Sequence, residues 1–298
     1  MTKATPFLLG LLCFGLLPLT GQDYLIGVSF TLLTWIALTQ SWTLLSGFAG
    51  YISLGHVVFF GLGGYFVVLT WGILPYWISL PLACLVTFVF AIAISIPVLR
   101  VSGPYFVILT FGLAEFVKYV VMAVESHLGQ FGRLLLGVPS LATLYWLALF
   151  LATLATLITF VIRRSRLGQG LIAIRENEQA AEAIGVPVTR YKTIAYGLSA
   201  TIPGAIGGLI ALRTSYFEPQ QIFDPVVSFT VLTSAIIGGS DDVRGPILGA
   251  AFLTLLSELL WARAPQLYLI LLGILLIVFV VILPNGICGL LRRRAAQA

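Results

Sequence analysis

Long apolar runs separated by short polar joints dominate the chain, falling at roughly 7–20, 24–43, 45–70, 76–98, 104–124, 141–162, 193–213, 226–239, 246–261 and 267–290. About 20 helical residues cross the hydrocarbon core of a bilayer. The pattern therefore predicts an all-α, polytopic membrane protein of about ten transmembrane helices, some short or broken, in one domain covering residues 1–298. The two short runs around Ser240 either cross fully or dip as a re-entrant pair. Both are even-numbered additions, so the carboxyl terminus stays on the amino-terminal side. The run at 7–20 follows a single Lys3 and reads as a first span, with a signal-peptide core as the alternative.

Three stretches depart from plain apolar helix. From Ser46 to Gly64 the chain reads SGFAGYISLGHVVFFGLGG, with glycines at 47, 50, 55, 61, 63 and 64 and His56 among them. Such a sequence suits close helix packing or a broken span, which in a membrane persists only inside protein or against a cavity. Ala200, Gly204 and Gly208 recur every four residues and put small groups on one helix face. The longest polar stretch, Arg163 to Lys192, has an Ala- and Glu-rich middle that favours helix. Asn177 is placed to cap a second short helix from Glu178, and Gly185 followed by Pro187 is a stop signal.

Composition agrees: 59% hydrophobic residues, 9% charged and a mean hydropathy of +1.07 leave too few charges to coat a water-soluble globule. The net charge of +5 is topological rather than a nucleic-acid signature. With an interior amino terminus, Lys3, Arg100, Arg163, Arg164, Arg166, Arg175, Arg190, Lys192, Arg244, Arg292, Arg293 and Arg294 lie inside, twelve of the sixteen basic residues. Both termini are then cytoplasmic. Asp23, Glu125, Glu218 and Asp224 lie outside, mostly in the loops Glu125 to Ser140 and Thr214 to Pro225, the surfaces large enough for an external partner.

Catalytic chemistry finds no constellation. A P-loop needs lysine directly after glycine, but Lys3, Lys118 and Lys192 follow Thr2, Val117 and Tyr191. His56 and His127 are the only histidines, and Cys13, Cys84 and Cys288 show no paired spacing, so no metal site or triad is indicated. The chain is not expected to be an enzyme.

Five ordered strings resemble the permeases of the branched-chain amino-acid ABC uptake family of the LivM type. They are GFAGYISLGHVVFFGLGGY from Gly47, LRVSGPYFVILTFGLAEFVKYV from Leu99, SRLGQGLIAIRENEQAAEAIGVPVTRYK from Ser165, GGSDDVRGPILGA from Gly238 and LPNGICGLL near the end. The resemblance implies the ten-helix ABC importer fold in a bacterial inner membrane. It also implies a second homologous permease subunit, two cytoplasmic ATPases that would carry ATP and magnesium, and an external substrate-binding protein. No cofactor is implied for this chain. Residues 163–192 would be the cytoplasmic coupling loop, with Arg175, Glu176, Asn177 and Glu178 docking into the ATPase. Two departures stand out: SHLGQFGRLLLGVP from Ser126 replaces a glycine-rich outer stretch common in relatives, and GGSDDVRGP adds Asp241 and Asp242 to an inner turn.

For the cargo, Ser53, His56, Tyr105, Thr110 and Glu115 are the pathway candidates, because a zwitterion needs both ends compensated and broken helices offer backbone groups. Polar and charged groups within spans point by default to pathways or paired contacts, and Glu258 is another such group. Glu115 and Lys118, three residues apart on one helix face, can also simply pair, and His56 can instead hydrogen-bond a neighbouring helix. Glu125, Glu218 and Asp224 are the candidates for seating the binding protein. The competing functions are a urea or small-amide permease of the same family, a gradient-driven secondary transporter, and a channel.

Overall fold

The computed structural model describes residues 14–15, 17–130, 132–261, 265–282 and 286–289. The expected first span at 7–20 lies largely outside them. The helices are α1 (Asp23–Trp42), α2 (His56–Thr70), α3 (Tyr76–Val98), α4 (Pro104–His127), α5 (Leu141–Arg164), α6 (Arg166–Glu176), α7 (Glu178–Ala183), α8 (Val188–Thr214), α9 (Pro219–Ile222), α10 (Val226–Gly238), α11 (Arg244–Trp261) and α12 (Pro265–Ile282). Two short strands, β1 (Arg133–Leu134) and β2 (Tyr216–Phe217), pair antiparallel. The apolar runs within the described residues are helical except for the break inside 45–70, and six helices there are long and apolar enough to cross a membrane. The chain is an all-α, multi-pass membrane protein.

At the centre, α8 packs on α1, α2, α3 and α5. The small-residue stripe makes this possible. A methyl group on Gly63 would overlap the backbone of Gly204, and one on Gly207 would overlap the Phe60 carbonyl. The α2–α8 seam is thus backbone against backbone, held by dispersion contacts that only glycine permits. By contrast α4 buries a single stripe, Phe106, Thr110, Ala114, Val117, Val121 and Glu125, and leaves its other faces open.

The stretch from Ser46 to Gly64 is broken, as its glycines predict. After α1 the chain makes one π-helical turn, Thr43–Gly47, stays helical to Ala49, then runs without helix from Gly50 to α2. The 15 residues of α2 rise only about 22 Å, short of the roughly 30 Å of a hydrocarbon core.

The helix after the Ser240 turn, α11, runs beside α1 from one end of the bundle to the other. Arg163, at the end of α5, pairs with Asp242 just before α11, whereas Tyr24, at the start of α1, donates to Glu258 near the other end of α11 at 2.8 Å. The helix α10 starts deep instead. Ile222 and Phe223 pack against Gly64 and Gly61 in the middle of α2, and Ser228 bonds the segment just before it. This corrects the expectation that all of Thr214 to Pro225 is an outer loop. Residues 219–223 dip into the bundle because buried Pro219, Ile222 and Phe223 fill the groove left by those glycines.

Candidate functional site: the junction of residues 163–192 with the broken span

The polar stretch folds by local signals. Ser165 caps α6, its side chain accepting from the Gly168 amide, and Asn177 caps α7, accepting from Ala180 N at 3.0 Å. At the end of α7, Gly185 takes φ 88° while Gly185 N donates to Glu182 O and Val186 N to Ala181 O. That pair of bonds is a Schellman stop, which requires a left-handed residue. The cap and the stop both fall where the sequence places them.

The charges beside the cap turn inward, onto the broken span. Arg175 Nη1 donates to Asp241 Oδ1 at 2.6 Å and to the Gly47 carbonyl at 3.0 Å. A guanidinium is well suited to the second contact, because carbonyls in the last turn of a helix lack partners and carry partial negative charge. On the other side of Asn177, Glu178 accepts from Lys192 Nζ at 2.7 Å and from Tyr51 Oη at 2.6 Å, and Lys192 also donates to Tyr51 Oη at 2.9 Å. Burial alone would raise the Glu178 carboxyl, but the bonds from Lys192 and Tyr51 outweigh it and hold the group below its ordinary value. For Arg175, burial works against the charge, and Asp241 and Glu176 overcome it, so its pKa is raised.

Gly50 completes the fit. Its φ is +77°, and a Cβ there would sit 2.8 Å from Arg175 Cγ. Gly47 similarly leaves no room, with Ser240 O 2.7 Å from where its Cβ would be. Residues 47–51 are therefore clamped between Arg175, Glu178 and the turn at Ser240. Two members of the expected docking tetrad, Arg175 and Glu178, thus also make bonds within the chain. The Arg175 and Glu178 side chains are 30% and 40% exposed and satisfied within the chain, whereas Glu176 is 70% exposed.

Beyond the clamp the segment is tied to three helices. Trp42 Nε1 donates to Ser53 O, Leu54 N donates to Thr110 Oγ1 of α4, and Ser228 Oγ of α10 donates to Leu54 O. Ser53 Oγ and Ser228 Oγ accept from the Gly55 and Val57 amides, so protein hydroxyls occupy the start of α2. The structure thus brings Ser53 and Thr110 together. His56 is buried next to them, packed edge-on to Phe59 at 6.1 Å. It faces the Ser199 carbonyl, but Ser41 Oγ already donates to that oxygen, and neither ring nitrogen makes a hydrogen bond among the described residues. Tyr105 stands apart, 73% exposed, and Glu115 pairs with Lys118 as the spacing allows.

The opposite end closes on itself. Glu125 is buried and accepts from Arg133 Nε and Nη2, each at 2.9 Å, and from Tyr65 Oη at 2.8 Å. Tyr65 stacks on Phe217 of β2, which stands opposite Arg133 of β1. The result is a ring joining α2, α4 and both strands. Glu125 is therefore withdrawn from the surface, contrary to its reading as a docking acid; its partners, remote in sequence or on another element, bury it. Asp224 Oδ1 accepts from Val226 N at 2.9 Å at the start of α10, and Glu218 accepts from Gln221 Nε2 at 2.9 Å, both keeping partial exposure. Sequence reasoning missed Tyr51, Asp241 as an ion-pair partner, and Tyr65; the added acids in GGSDDVRGP were the one available signal.

A polar, helix-capped region gripping a broken span at one end of an apolar bundle is the build of a multi-pass membrane protein. Residues 24–280 match the family described as branched-chain amino acid transport system / permease component, and the chain belongs to that family. It is similar to the high-affinity branched-chain amino acid transport system permease protein LivM of Salmonella typhimurium, 29% identical over 83% of this chain and 65% of that one. LivH of Escherichia coli is 25% identical over 51% of this chain and 49% of its own length. The autoinducer 2 import system permease protein LsrC of Salmonella paratyphi B is 27% identical over 66% of this chain and 62% of its own length. The chain thus spans just under two thirds of the LivM length. No solved structure matches it.

Proposed function

We propose that the chain is the membrane-spanning permease subunit of an ATP-driven importer that moves branched-chain or other neutral amino acids into a bacterial cell. The observation that carries this reading is the family match along nearly the whole bundle, residues 24–280. The fold is then of the ten-helix importer type, with both termini in the cytoplasm and residues 163–192 as the coupling region. A second homologous permease, two cytoplasmic ATPases and an external binding protein complete the assembly. ATP with magnesium belongs to the ATPases, since no lysine of this chain follows a glycine.

Glu176, on the exposed side of the tetrad, is the group offered to the ATPase. Glu218 and Asp224 remain as candidates for seating the binding protein, and Ser53, His56 and Thr110 border the path of the cargo. Purifying the chain from its native membrane and identifying the bound proteins tests the assembly. Recovery of an ATPase pair and a second permease supports it, and transport by the chain alone on an ion gradient refutes it. The likeness to LsrC favours one alternative, an importer of the same build for a different small polar solute. Competition of labelled leucine uptake by a panel of amino acids, urea and small amides separates the two cargoes.

A further inference from the structure

We infer that Arg175, Glu178 and Lys192 are positioning residues that carry movement from residues 163–192 to the cargo path through the broken span, rather than a surface for docking the ATPase. The inference rests on the permease reading above and adds the route of coupling to it. Three facts support it. Arg175 and Glu178, on either side of the Asn177 cap, hold Gly47 and Tyr51 respectively, so the junction of α6 and α7 grips one short stretch at two points. The Lys192 side chain is only 6% exposed, and it bonds Glu178, Tyr51 and, at 3.5 Å, the Leu99 carbonyl beyond α3. Between the grip and α2 the chain has no helical hydrogen bonds of its own, and its Leu54 is bonded on one side to Thr110 of α4 and on the other to Ser228 of α10.

A continuous helix would resist displacement at one end through its backbone ladder. A non-helical segment held at both ends by side-chain bonds instead moves with the groups that hold it, because those bonds are its joints. Shifting the α6–α7 junction must therefore shift Leu54 or break one of these bonds. Either outcome changes how α4 and α10 meet beside Ser53 and Thr110. Two discrete arrangements of such an element are what coupling between distant sites requires.

The test uses the complete transporter, reconstituted with its ATPases, second permease and binding protein. Tyr51→Phe combined with Asp241→Ala removes a side-chain bond at each grip, while Arg175 keeps Glu176 and the Gly47 carbonyl as partners. The expected result is intact assembly and continued ATP hydrolysis, with cargo moved per ATP falling roughly fivefold or more, the low end of the range for coupled sites. Tyr51→Phe combined with Asp241→Glu, which keeps a carboxylate for Arg175 and leaves its bond to the Gly47 carbonyl, is expected to recover part of that ratio, which a merely destabilising change would not do. Loss of ATPase binding in the first variant would overturn the inference in favour of docking, and an unchanged transport-to-hydrolysis ratio would overturn it outright. If the parent complex shows no ATP-driven uptake, the permease reading itself fails, a distinct result.

Discussion

The two ends of the bundle use buried charge for opposite purposes. At the strand end, Glu125, Arg133, Tyr65 and Phe217 form a closed ring in which every member braces the next. At the other end two separate pairs, Arg175 with Asp241 and Glu178 with Lys192, reach the Gly47 carbonyl at the end of the π-helical turn and the Tyr51 hydroxyl. A ring fixes the elements it joins. Two separate pairs on either side of the start of a non-helical segment leave that segment free to move with them, so the same kinds of bond give rigidity at one end and a means of transmission at the other.

The sharpest way to break this comparison is at the ring. Glu125→Gln removes a carboxylate that accepts three hydrogen bonds, so stability should fall by about 1.5–3 kcal/mol, the scale for bonds to a charged group. Thermal unfolding in detergent measures it, and transport per folded molecule should hardly change. A coupling defect without loss of stability would mean that the two ends do not differ as described.

Smaller effects are expected at exposed positions. Glu176→Lys should weaken ATPase binding by about fivefold at most, since exposed ion pairs contribute about 1 kcal/mol or less. Titration of the purified ATPase onto the reconstituted permease reads this directly, and an effect equal to that of altering Arg175 would merge the two roles. Replacing Glu218 and Asp224 together with alanine should slow association of the binding protein at low salt, with the difference fading as salt screens the charges. Equal rates at every salt concentration would remove both residues from the docking surface.

The smallest effect is on pH dependence. Glu178 is held below its ordinary value, so its contribution is fully present above the usual carboxylate pKa of about 4.3 and is lost only as pH falls through the lowered folded value. Stability measured from neutral pH down to the carboxylate range should therefore show no step that Glu178→Gln abolishes. A Glu178-dependent step between pH 5 and 7, on the order of the ordinary histidine range, would contradict the Lys192 and Tyr51 contacts.

Much of this architecture is legible in the sequence because its causes are local. Apolar run length marks the spans, Asn177 three residues before Ala180 marks a cap, and Gly185 marks the Schellman stop. The break at Gly50 was legible for the same reason, since its glycines fail to support an ordinary helix. The clamp was not. Tyr51 and Glu178 are 127 residues apart, Arg175 and Gly47 128, and nothing in either neighbourhood specifies the other. Glu125 shows the same limit in reverse: its position after a span reads as a surface acid, and only Tyr65, 60 residues earlier, together with the pairing of β1 and β2, reveals that it is buried. The dip of residues 219–223 was hidden because Phe223 needs the groove at Gly61 to make burial favourable.

The central claim is ATP-driven import through this chain, and uptake of labelled leucine by proteoliposomes holding the full complex tests it most directly. Accumulation should occur with binding protein and hydrolysable ATP on their proper sides, and disappear when a non-hydrolysable analogue replaces ATP. Undiminished uptake with the analogue, or by liposomes holding this chain alone under an ion gradient, would contradict the account.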